Sequence, residues 1–509
     1  MAIFEVLEKA DNSKSISLKS PVDLSPIGQF DVTTAEQVKT AVFKAKKAQL
    51  SWAALSYKER AKHLARLQKV MLDNTDLIMN TIAKDSGKAD MECLSEVIGA
   101  CDAAQYYGKH AGKILKDSSK RPHLFFGMKK LVKTYKPKGV VGIITPWNFP
   151  FATTVVPTVQ ALIAGNTVIV KPSEVTPFSG QLLGKLVQEA GLPKDVVQVL
   201  LGDGSTGAAL CEAGVDKIHF TGSVRTGKIV GEVCARQLIS STLELGGKDP
   251  AIVCADADIE RAAKGVANGA LFNTGQVCAS TERIYVVESV YDDFIKALVN
   301  EVSSLRQNNG DADVSCMIWD QQLNMIEGQI QDAVNKGAQV LSGGKRQQGK
   351  DGLFLEPTIL VNVDHSMSIM TDETFGPVLP VMKVANETEA ILMANDSPYG
   401  LSGSIWTSNQ KRGLAMAKQI DSGGCGVNEF GGNVYGCHEG SFGGSKDSGL
   451  GYVNGEIGLK SFCKVQHILI HKFGPKQEGN WFPYEVKTVS DMKKFLAFMF
   501  GTAIGRWLS

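Results

Sequence analysis

Apolar residues recur every three or four positions through the first part of the chain, which is the spacing of helices with one buried face. The pattern is clearest in two stretches, TTAEQVKTAVFKAKKAQLSWAAL from Thr33 and YKERAKHLARLQKVMLDNTDLIMNTIAKDSG from Tyr57. The first opens on threonines followed by Glu and Gln, as in a helix cap, and the second ends at Gly87, a common helix stop. We therefore predict helices over residues 33–116.

From Gly139 the pattern changes to short apolar runs that alternate with helical stretches. The runs are GVVGIITP, NTVIVKPS, VVQVLLG and DKIHFTG, and stretches such as FATTVVPTVQALIAG and PFSGQLLGKLVQEAGL lie between them. This alternation predicts a parallel sheet covered by helices on both faces. Such sheets bind ligands beyond the carboxyl ends of their strands, where the loops TPWNFP, KPSEVTP and TGSVRTG lie.

A second alternating block begins after LELGG, near residue 247. It consists of the run DPAIVCA, a helical stretch from Asp258 to Asn273 and a strand-like run that starts at Arg283. We interpret this block as a second α/β domain. The strand-like segment LKSFCKVQHILIH, near residue 465, lies outside both blocks.

Length and composition are those of an ordinary globular protein. The chain has 509 residues, a net charge of +1, and 43% hydrophobic and 21% charged residues, so we expect at least two domains and no nucleic-acid partner. We expect neither a secretory signal in MAIFEVLEKADNSKS nor a membrane-spanning helix, which needs about 18 apolar residues. Ten cysteines without a C-x-x-C pair argue against disulfides and a zinc site and favour a cytoplasmic location.

Three residues have side chains suited to chemistry on a carbonyl group. Cys278 in FNTGQVCAS is a candidate nucleophile, and Asn148 in TPWNFPF can donate a hydrogen bond to an oxyanion. Glu244 in LELGGKDP is a candidate base, because burial raises the pKa of a carboxyl group.

Each candidate also has an ordinary interpretation. Cys278 is then a small buried residue and Asn148 a turn residue before a proline. Glu244 is then the ion-pair partner of Lys248, and Glu174 in KPSEVTP caps the next helix.

The order of the motifs carries a resemblance to a known family. LELGGKDP and FNTGQVCAS stand 34 residues apart, from Glu244 to Cys278, and ETFGPVLPV, NDSPYGLSGSIWT, GVNEF and FGGSKDSGLG follow in order. From about residue 35 to 470 the chain resembles the NAD(P)-dependent aldehyde dehydrogenase superfamily. The resemblance implies oxidation of an aldehyde to its acid through a thiohemiacetal and a thioester.

The resemblance also implies a role for individual residues. Cys278 would be the nucleophile, Asn148 the oxyanion donor and Glu244 the base that activates water, with no metal. The residues implied for cofactor binding are Trp147, Lys171, Ser173 and Glu174 at the adenosine half, Ser223 at the pyrophosphate, and Leu245, Glu373 and Phe375 at the nicotinamide end. Glu174 suits the ribose 2′-hydroxyl and repels a 2′-phosphate, which favours NAD. Relatives with the same KPSE sequence that accept both cofactors leave NADP as the alternative.

The family's architecture implies an α/β fold in three parts with a C-terminal tail. These are a Rossmann-type cofactor domain (1–111 and 138–246), an α/β catalytic domain (247–445), a small β oligomerisation element (112–137 and 446–475) and a tail with an amphipathic helix (476–509). In the family the small element extends the sheet of a partner subunit, so we expect a homodimer or homotetramer.

The substrate is expected to be a small-molecule aldehyde, and two classes are weighed. Thr153 and Val156, where many relatives have bulkier residues, favour a wide apolar tunnel for a medium- or long-chain aliphatic aldehyde. Similar aromatic-proline tails in relatives called succinate semialdehyde dehydrogenases favour the second class.

The tail has apolar residues at helical spacing with basic residues beside them. The apolar positions are Met492, Phe495, Leu496, Met499, Ala503 and Trp507, and the basic ones are Lys493, Lys494 and Arg506. A helix packed on its own or a partner subunit is one interpretation. The others are a lid over the tunnel and an interfacial helix that would bring a cytoplasmic enzyme to a membrane surface.

Rival functions fit the sequence less well. A CoA-acylating relative does not need Glu244, and a cysteine hydrolase would need a histidine signature that surrounds none of the eight histidines. A non-enzymatic protein on this fold would be expected to have lost Cys278 or Glu244.

Overall fold

The structure is a computed structural model that describes residues 14–122, 126, 129–474, 476–478 and 481–508. The chain forms two compact units. The larger one contains Pro137–Phe462 and the described residues up to Ala111, and the smaller one contains Gly112–Lys136 and the chain from Cys463 onward. The first 13 residues of the predicted segment 1–111 lie outside the described residues, as do short parts of 112–137 and 476–509.

Helices and strands alternate along most of the chain. The helices are α1 (Ala35–Ala54), α2 (Tyr57–Asp73), α3 (Thr75–Ser86), α4 (Asp90–Ile114), α5 (Ala152–Ile163), α6 (Pro177–Glu189), α7 (Gly204–Glu212), α8 (Val224–Gln237), α9 (Ile259–Leu271), α10 (Tyr291–Ser303), α11 (Asp320–Asn335), α12 (Ser368–Thr371), α13 (Glu387–Asn395), α14 (Gln410–Ala417), α15 (Gly455–Ser461), α16 (Val486–Gly501) and α17 (Ala503–Leu508). The strands are β1 (Ser15–Lys19), β2 (Pro26–Asp31), β3 (Ser118–Lys120), β4 (Lys130–Pro137), β5 (Val140–Ile144), β6 (Thr167–Lys171), β7 (Val197–Val199), β8 (Lys217–Thr221), β9 (Ser240–Glu244), β10 (Asp249–Val253), β11 (Thr281–Val287), β12 (Gln339–Ser342), β13 (Thr358–Val361), β14 (Val378–Val384), β15 (Ser404–Trp406), β16 (Gly426–Val427), β17 (Gly449–Leu450) and β18 (Cys463–Ile470).

The predicted helical region forms the four helices α1 to α4. A capping box starts α1, in which the Thr34 hydroxyl accepts a hydrogen bond from the backbone N–H of Gln37 and the Gln37 side chain accepts one from Thr34. Gly87 ends α3 in the left-handed conformation, with φ of 68°. The cap and the stop were both predicted from the sequence and are confirmed.

The first alternating block forms most of a six-stranded sheet, whose strand order is β17-β9-β8-β5-β6-β7. Its strands are parallel except for β17, which runs antiparallel to β9 and places Gly449 opposite Glu244. Every residue of β5 and β6 is buried, as expected for central strands covered on both faces. The loops after β5, β6 and β8 therefore lie at one edge of this sheet.

The second block forms a seven-stranded sheet, whose strand order is β12-β13-β14-β11-β10-β15-β16. It is parallel except for the pairing of β12 with β13. Two clusters of buried apolar residues pack against its faces, one around Tyr285 and Leu323 and the other around Ala267 and Phe294. The predicted second α/β region is therefore built around its own core.

The smaller unit contains a three-stranded sheet in the order β18-β4-β3 and the helices α16 and α17. Strands thus form in the predicted segment 112–137 and near residue 465. The second segment of the predicted element began at residue 446, whereas the second segment of the smaller unit begins at Cys463, so residues 446–462 lie in the larger unit. The helix predicted in the tail is present and begins at Val486, and the side chain of Trp507 lies outside the described part.

No helix within the described residues is long and apolar enough to cross a membrane. The same part of the chain contains no group of three His, Cys, Asp or Glu side chains able to hold a metal ion. All ten cysteines are free thiols.

Candidate active site

Cys278 lies in the loop between α9 and β11, at the wall of a cavity of about 1400 Å³. The three residues Asn273, Thr274 and Gly275 precede it in the left-handed conformation, with φ of 52°, 57° and 71°. Left-handed backbone is costly for residues with a Cβ, so other contacts must hold this turn in place. Burial raises the pKa of the Cys278 thiol, and the nearby charges of Glu244 and other carboxylates add to the effect.

Glu244 ends β9 and lines the same cavity. Its side chain is 5% exposed, one carboxyl oxygen has no hydrogen-bond partner, and burial raises its pKa well above the usual value. The ordinary interpretation of Glu244 as the partner of Lys248 is wrong, because Lys248 pairs with Glu282 at 2.8 Å. Glu244 is therefore a buried carboxyl group with free capacity to bind a proton.

Asn148 lies in the loop after β5 and is buried in the cavity wall. Its side-chain nitrogen donates a 2.9 Å hydrogen bond to the carbonyl of Gln276, two residues before the thiol. The side chain of Asn273 donates in turn to the carbonyl of Asn148, at 3.0 Å. These bonds join the Asn148 loop to the Cys278 loop, although the two lie in different alternating blocks.

Three charged residues that the sequence did not indicate support these loops from α4 and the turn before it. Lys88 and Glu96 form a fully buried ion pair at 2.6 Å. The other Glu96 oxygen accepts hydrogen bonds from the backbone N–H groups of Phe151 and Ala152, both at 2.9 Å. Glu92, one turn earlier on α4, accepts one from the N–H of Asn273 at 2.6 Å.

A comparable arrangement supports the loop that contains Glu373 and Phe375. Besides its ion pair with Lys248, Glu282 accepts hydrogen bonds from the backbone N–H groups of Thr374 and Phe375, both at 2.7 Å. Phe375 is left-handed, with φ of 53°. The carboxylate thus holds a strained loop, as Glu92 does beside the thiol.

The glycines of LELGG are explained by close approaches in this region. A Cβ at Gly246 would overlap the Glu373 carboxylate, and one at Gly247 would overlap the carbonyl oxygen of Cys278. Glu373 accepts a 3.1 Å hydrogen bond from the N–H of Gly247, and burial raises its pKa to about 8. The strand that ends in Glu244 can therefore lie directly against both the thiol loop and Glu373.

Six of the eight residues predicted for cofactor binding line the cavity: Trp147, Glu174, Ser223, Leu245, Glu373 and Phe375. The rings of Trp147 and Phe375 meet edge to face at 5.2 Å. Ser223 caps the N-terminus of α8, where free backbone N–H groups favour an anion. An acid, an anion-binding helix end and two aromatic rings along one wall fit a nucleotide cofactor.

Lys171 and Ser173 are buried beside this wall and are not among its described lining residues. Lys171 forms a 2.8 Å ion pair with Glu174, whose side chain is 41% exposed. The interpretation of Glu174 as a helix cap is wrong, since Thr176 precedes α6 and no side chain caps it.

The other end of the cavity is mainly apolar. Its wall includes Thr153 and Val156, as predicted, and four aromatic residues of the quoted motifs, Phe149, Phe272, Phe430 and Phe442. Gly99 and Tyr435 also line it and lie outside every motif. Tyr435 is close enough to Glu244 and Cys278 for their charges to raise its pKa, after burial as the main cause. These residues come from four separate segments, which only the folded chain brings together.

The family model described as the aldehyde dehydrogenase family matches residues 8–468. The 4,4′-diapolycopene aldehyde oxidase of Methylomonas sp. is 38% identical over 492 residues, covering 96% of this chain and 92% of that protein. A putative succinate-semialdehyde dehydrogenase [NADP(+)] of Mycolicibacterium smegmatis is 38% identical over 467 residues, with 91% and 90% covered. The solved structure of a Mycobacterium tuberculosis aldehyde dehydrogenase complexed with NAD+ has a TM-score of 0.86 and 32% identity, with 91% and 95% covered.

Proposed function

The chain belongs to the aldehyde dehydrogenase family, and from this premise we propose that it oxidises an aldehyde to the carboxylic acid with NAD or NADP as hydride acceptor. The family and the α/β fold predicted from the sequence are confirmed by these comparisons. The observation that carries the proposal is one cavity lined by Cys278, Glu244 and Asn148 together with the six predicted cofactor residues.

The first proposed step is attack of the Cys278 sulfur on the aldehyde carbon. The thiol has a raised pKa, so it loses its proton to solvent as the bond forms, which leaves the Glu244 carboxylate free to act in the later step. The carbonyl oxygen becomes an oxyanion. Asn148 stabilises it when its amide turns from the Gln276 carbonyl to the substrate, together with the backbone N–H of Cys278.

The second step converts the thiohemiacetal to a thioester. NAD or NADP, when bound, accepts the hydride that leaves the substrate carbon. Glu244 then removes a proton from water, which attacks the thioester carbon, and the acid leaves as the Cys278 sulfur is released. One aldehyde and one water thereby give one carboxylic acid, with two electrons passed to the cofactor.

Two variants test this assignment. Cys278→Ala is expected to abolish NADH production, measured by absorbance with purified enzyme and a simple aldehyde. Glu244→Gln is expected to retain attack and hydride transfer but to accumulate acyl-enzyme, seen as added mass on the intact protein. Undiminished steady-state release of acid by Glu244→Gln would refute its role as the base.

For the substrate we propose a medium- or long-chain apolar aldehyde. The aromatic and small residues at the aldehyde end support this class, and so does the name of the diapolycopene aldehyde oxidase relative. Arg225 is the only arginine among the described lining residues, and it lies two residues after Ser223, for which we propose contact with the cofactor pyrophosphate. Succinate semialdehyde is the alternative, favoured by the names of other relatives.

An activity series decides between these substrates. We expect kcat/KM to rise with chain length among saturated aldehydes and to exceed the value for succinate semialdehyde. Val156→Phe narrows the apolar end and is expected to lower activity on long aldehydes while leaving short ones little changed. Higher activity on succinate semialdehyde than on any alkanal would replace the proposed substrate with the alternative.

For the cofactor we propose a preference for NAD. Glu174 lines the described cavity wall, and its charge disfavours a 2′-phosphate. Glu174→Gln is expected to shift the ratio of kcat/KM for NAD over NADP toward NADP by about tenfold or more. An unchanged ratio would contradict this role.

A further inference from the structure

Within the smaller unit, α16 and α17 form a helical pair with most of its surface exposed. The two helices pack on each other around Met499, the one buried apolar residue of α16. We propose that this pair, residues 486–508, docks onto an anionic lipid surface, with the apolar face of α16 inserted between the lipid headgroups.

The apolar face of α16 has the spacing that an interfacial helix needs. Val489, Met492, Phe495, Leu496 and Phe500 recur at intervals of three and four, so they share one side of the helix. Each is between 37% and 58% exposed. A helix that buries such a face in the headgroup region gains the free energy of removing it from water.

Aromatic residues are concentrated in and just before this helix. Within residues 481–500 there are six, each at least 37% exposed: Trp481, Phe482, Tyr484, Phe495, Phe498 and Phe500. In the chain as a whole only 7% of residues are aromatic. Aromatic side chains favour the boundary between water and lipid, because their rings are apolar and Trp and Tyr also carry a polar group.

Charge distinguishes lipid from the other candidate occupants. Residues 486–508 contain Lys487, Lys493, Lys494 and Arg506 against Asp491, a net charge of +3, so the rest of the chain has a net charge of −2. An anionic lipid surface complements this charge. A second copy of the same helix would bring two such clusters together, which is unfavourable.

The inference deepens the proposed function. The biological purpose of lipid docking rests on that function, whereas the docking itself does not. A long apolar aldehyde concentrates in lipid, so an enzyme held at the lipid surface meets its substrate where the substrate is dissolved. Binding to lipid is measured without catalysis, so failure of the docking proposal and failure of the proposed function are separate results.

The test is flotation of the full-length protein with vesicles. Phosphatidylcholine vesicles with added phosphatidylglycerol are expected to carry the protein upward, with a bound fraction that falls as salt is added. Vesicles of phosphatidylcholine alone are expected to bind much less. Equal binding to both compositions, or none to either, would overturn the proposal.

Point variants identify the surface. Leu496→Glu is expected to abolish binding, whereas Leu414→Glu, at a similarly exposed leucine on α14 (55% against 58%), should bind like the parent protein. Lys493→Gln with Lys494→Gln should weaken binding by about fivefold for each charge removed. Circular dichroism and thermal unfolding check that the variants are folded.

Two other arrangements of the apolar face of α16, contact with a second copy of the chain and closure of the tunnel, would give different results. If α16 covers a second copy of the chain, Leu496→Glu would lower the molecular mass in light scattering without lipid, while vesicle binding by the parent protein would be absent. If it closes the tunnel as a lid, deletion of residues 486–509 would change chain-length preference and leave the flotation result unaltered. Either result would overturn the lipid proposal.

Discussion

The two buried Lys–Glu pairs beside the thiol make the same contacts from different parts of the chain. Lys88–Glu96, at 2.6 Å, supports the side of the cavity proposed for the aldehyde, and Lys248–Glu282, at 2.8 Å, supports the side proposed for the nicotinamide. In each pair the acid also binds two backbone N–H groups of a loop that lines the cavity. A desolvated ion pair of this kind adds little net stability, but it fixes its partners in place.

The difference lies in where the pairs come from. Lys248 and Glu282 flank Cys278 in sequence and belong to the segment that carries the thiol. Lys88 and Glu96 come from the N-terminal helical region, more than fifty residues before the loop that Glu96 holds. The loop of Asn148, the proposed oxyanion donor, therefore depends on a helix outside both alternating blocks, whereas the side proposed for the nicotinamide is supported from within the second block.

The largest effect is expected on stability when one partner of a pair is removed. Lys88→Met leaves a buried carboxylate without its cation and should lower the free energy of unfolding by about 3–5 kcal/mol. The double variant Lys88→Met with Glu96→Gln should recover part of the loss, as measured by urea denaturation. A double variant less stable than either single one would show that the charges are not coupled.

A smaller effect is expected on catalysis from the aldehyde side. Glu96→Gln should lower kcat by about a hundredfold, because the loop with Asn148 loses its charged acceptor and the oxyanion donor is misplaced. The KM for NAD should stay within about twofold, since the nucleotide side is untouched. Glu36→Ala, an exposed acid on α1, is the control. A rise in the KM for NAD with unchanged kcat would show that Glu96 supports the nicotinamide side and not the aldehyde side.

The reverse pattern is expected from the nicotinamide side. Glu282→Gln should raise the KM for NAD by about tenfold, because the left-handed Phe375 loses the acceptor that holds its N–H. Alkylation of Cys278 in the absence of cofactor should proceed as in the parent enzyme. Identical kinetic changes in Glu96→Gln and Glu282→Gln would remove the distinction between the two pairs.

The smallest effect concerns the reactivity of the thiol. Burial is the main cause of its raised pKa, and Glu244, Asp249 and Glu373 raise it further. At about pH 9, above the pKa of Glu373, Glu373→Gln removes one of these charges, so the thiol pKa should fall and the rate of alkylation at that pH should rise, by less than about tenfold. Glu92→Gln, on the aldehyde side, should leave the rate unchanged. Equal acceleration in both variants would mean that carboxylates on both sides of the cavity raise the pKa of the thiol.

The comparison also explains how much the sequence could predict. Local patterns predict the two sheets and the loops at their edges. They also predict the candidate residues Cys278, Glu244 and Asn148, because each of these residues lies in a short motif next to a strand. The ion pairs do not, because a carboxylate in a helix carries no mark of which loop it will hold. The buried face of α4 contains Glu92 and Glu96 beside Cys93 and Val97. Acids on an otherwise apolar buried face were the available signal that this helix binds polar groups elsewhere in the chain.

The aldehyde end was the least predictable region for a related reason. Its wall is assembled from α4, the Asn148 loop and α5, the turn after α9 and the segment around Phe430 to Phe442. Tyr435, whose pKa responds to both Cys278 and Glu244, belongs to none of the motifs. The proposed substrate preference thus depends on residues far apart in the chain, whereas the proposed catalytic residues lie in compact motifs.

The short strand β17 has a consequence for how the enzyme comes into being. Gly449 pairs with Glu244, so the sheet edge beside the base is completed by residues made late in translation. A growing chain that already contains Cys278 lacks this pairing until Gly449 and Leu450 have been made. The sheet beside Glu244, the proposed base, is therefore completed only after Cys278, the proposed nucleophile, has been made.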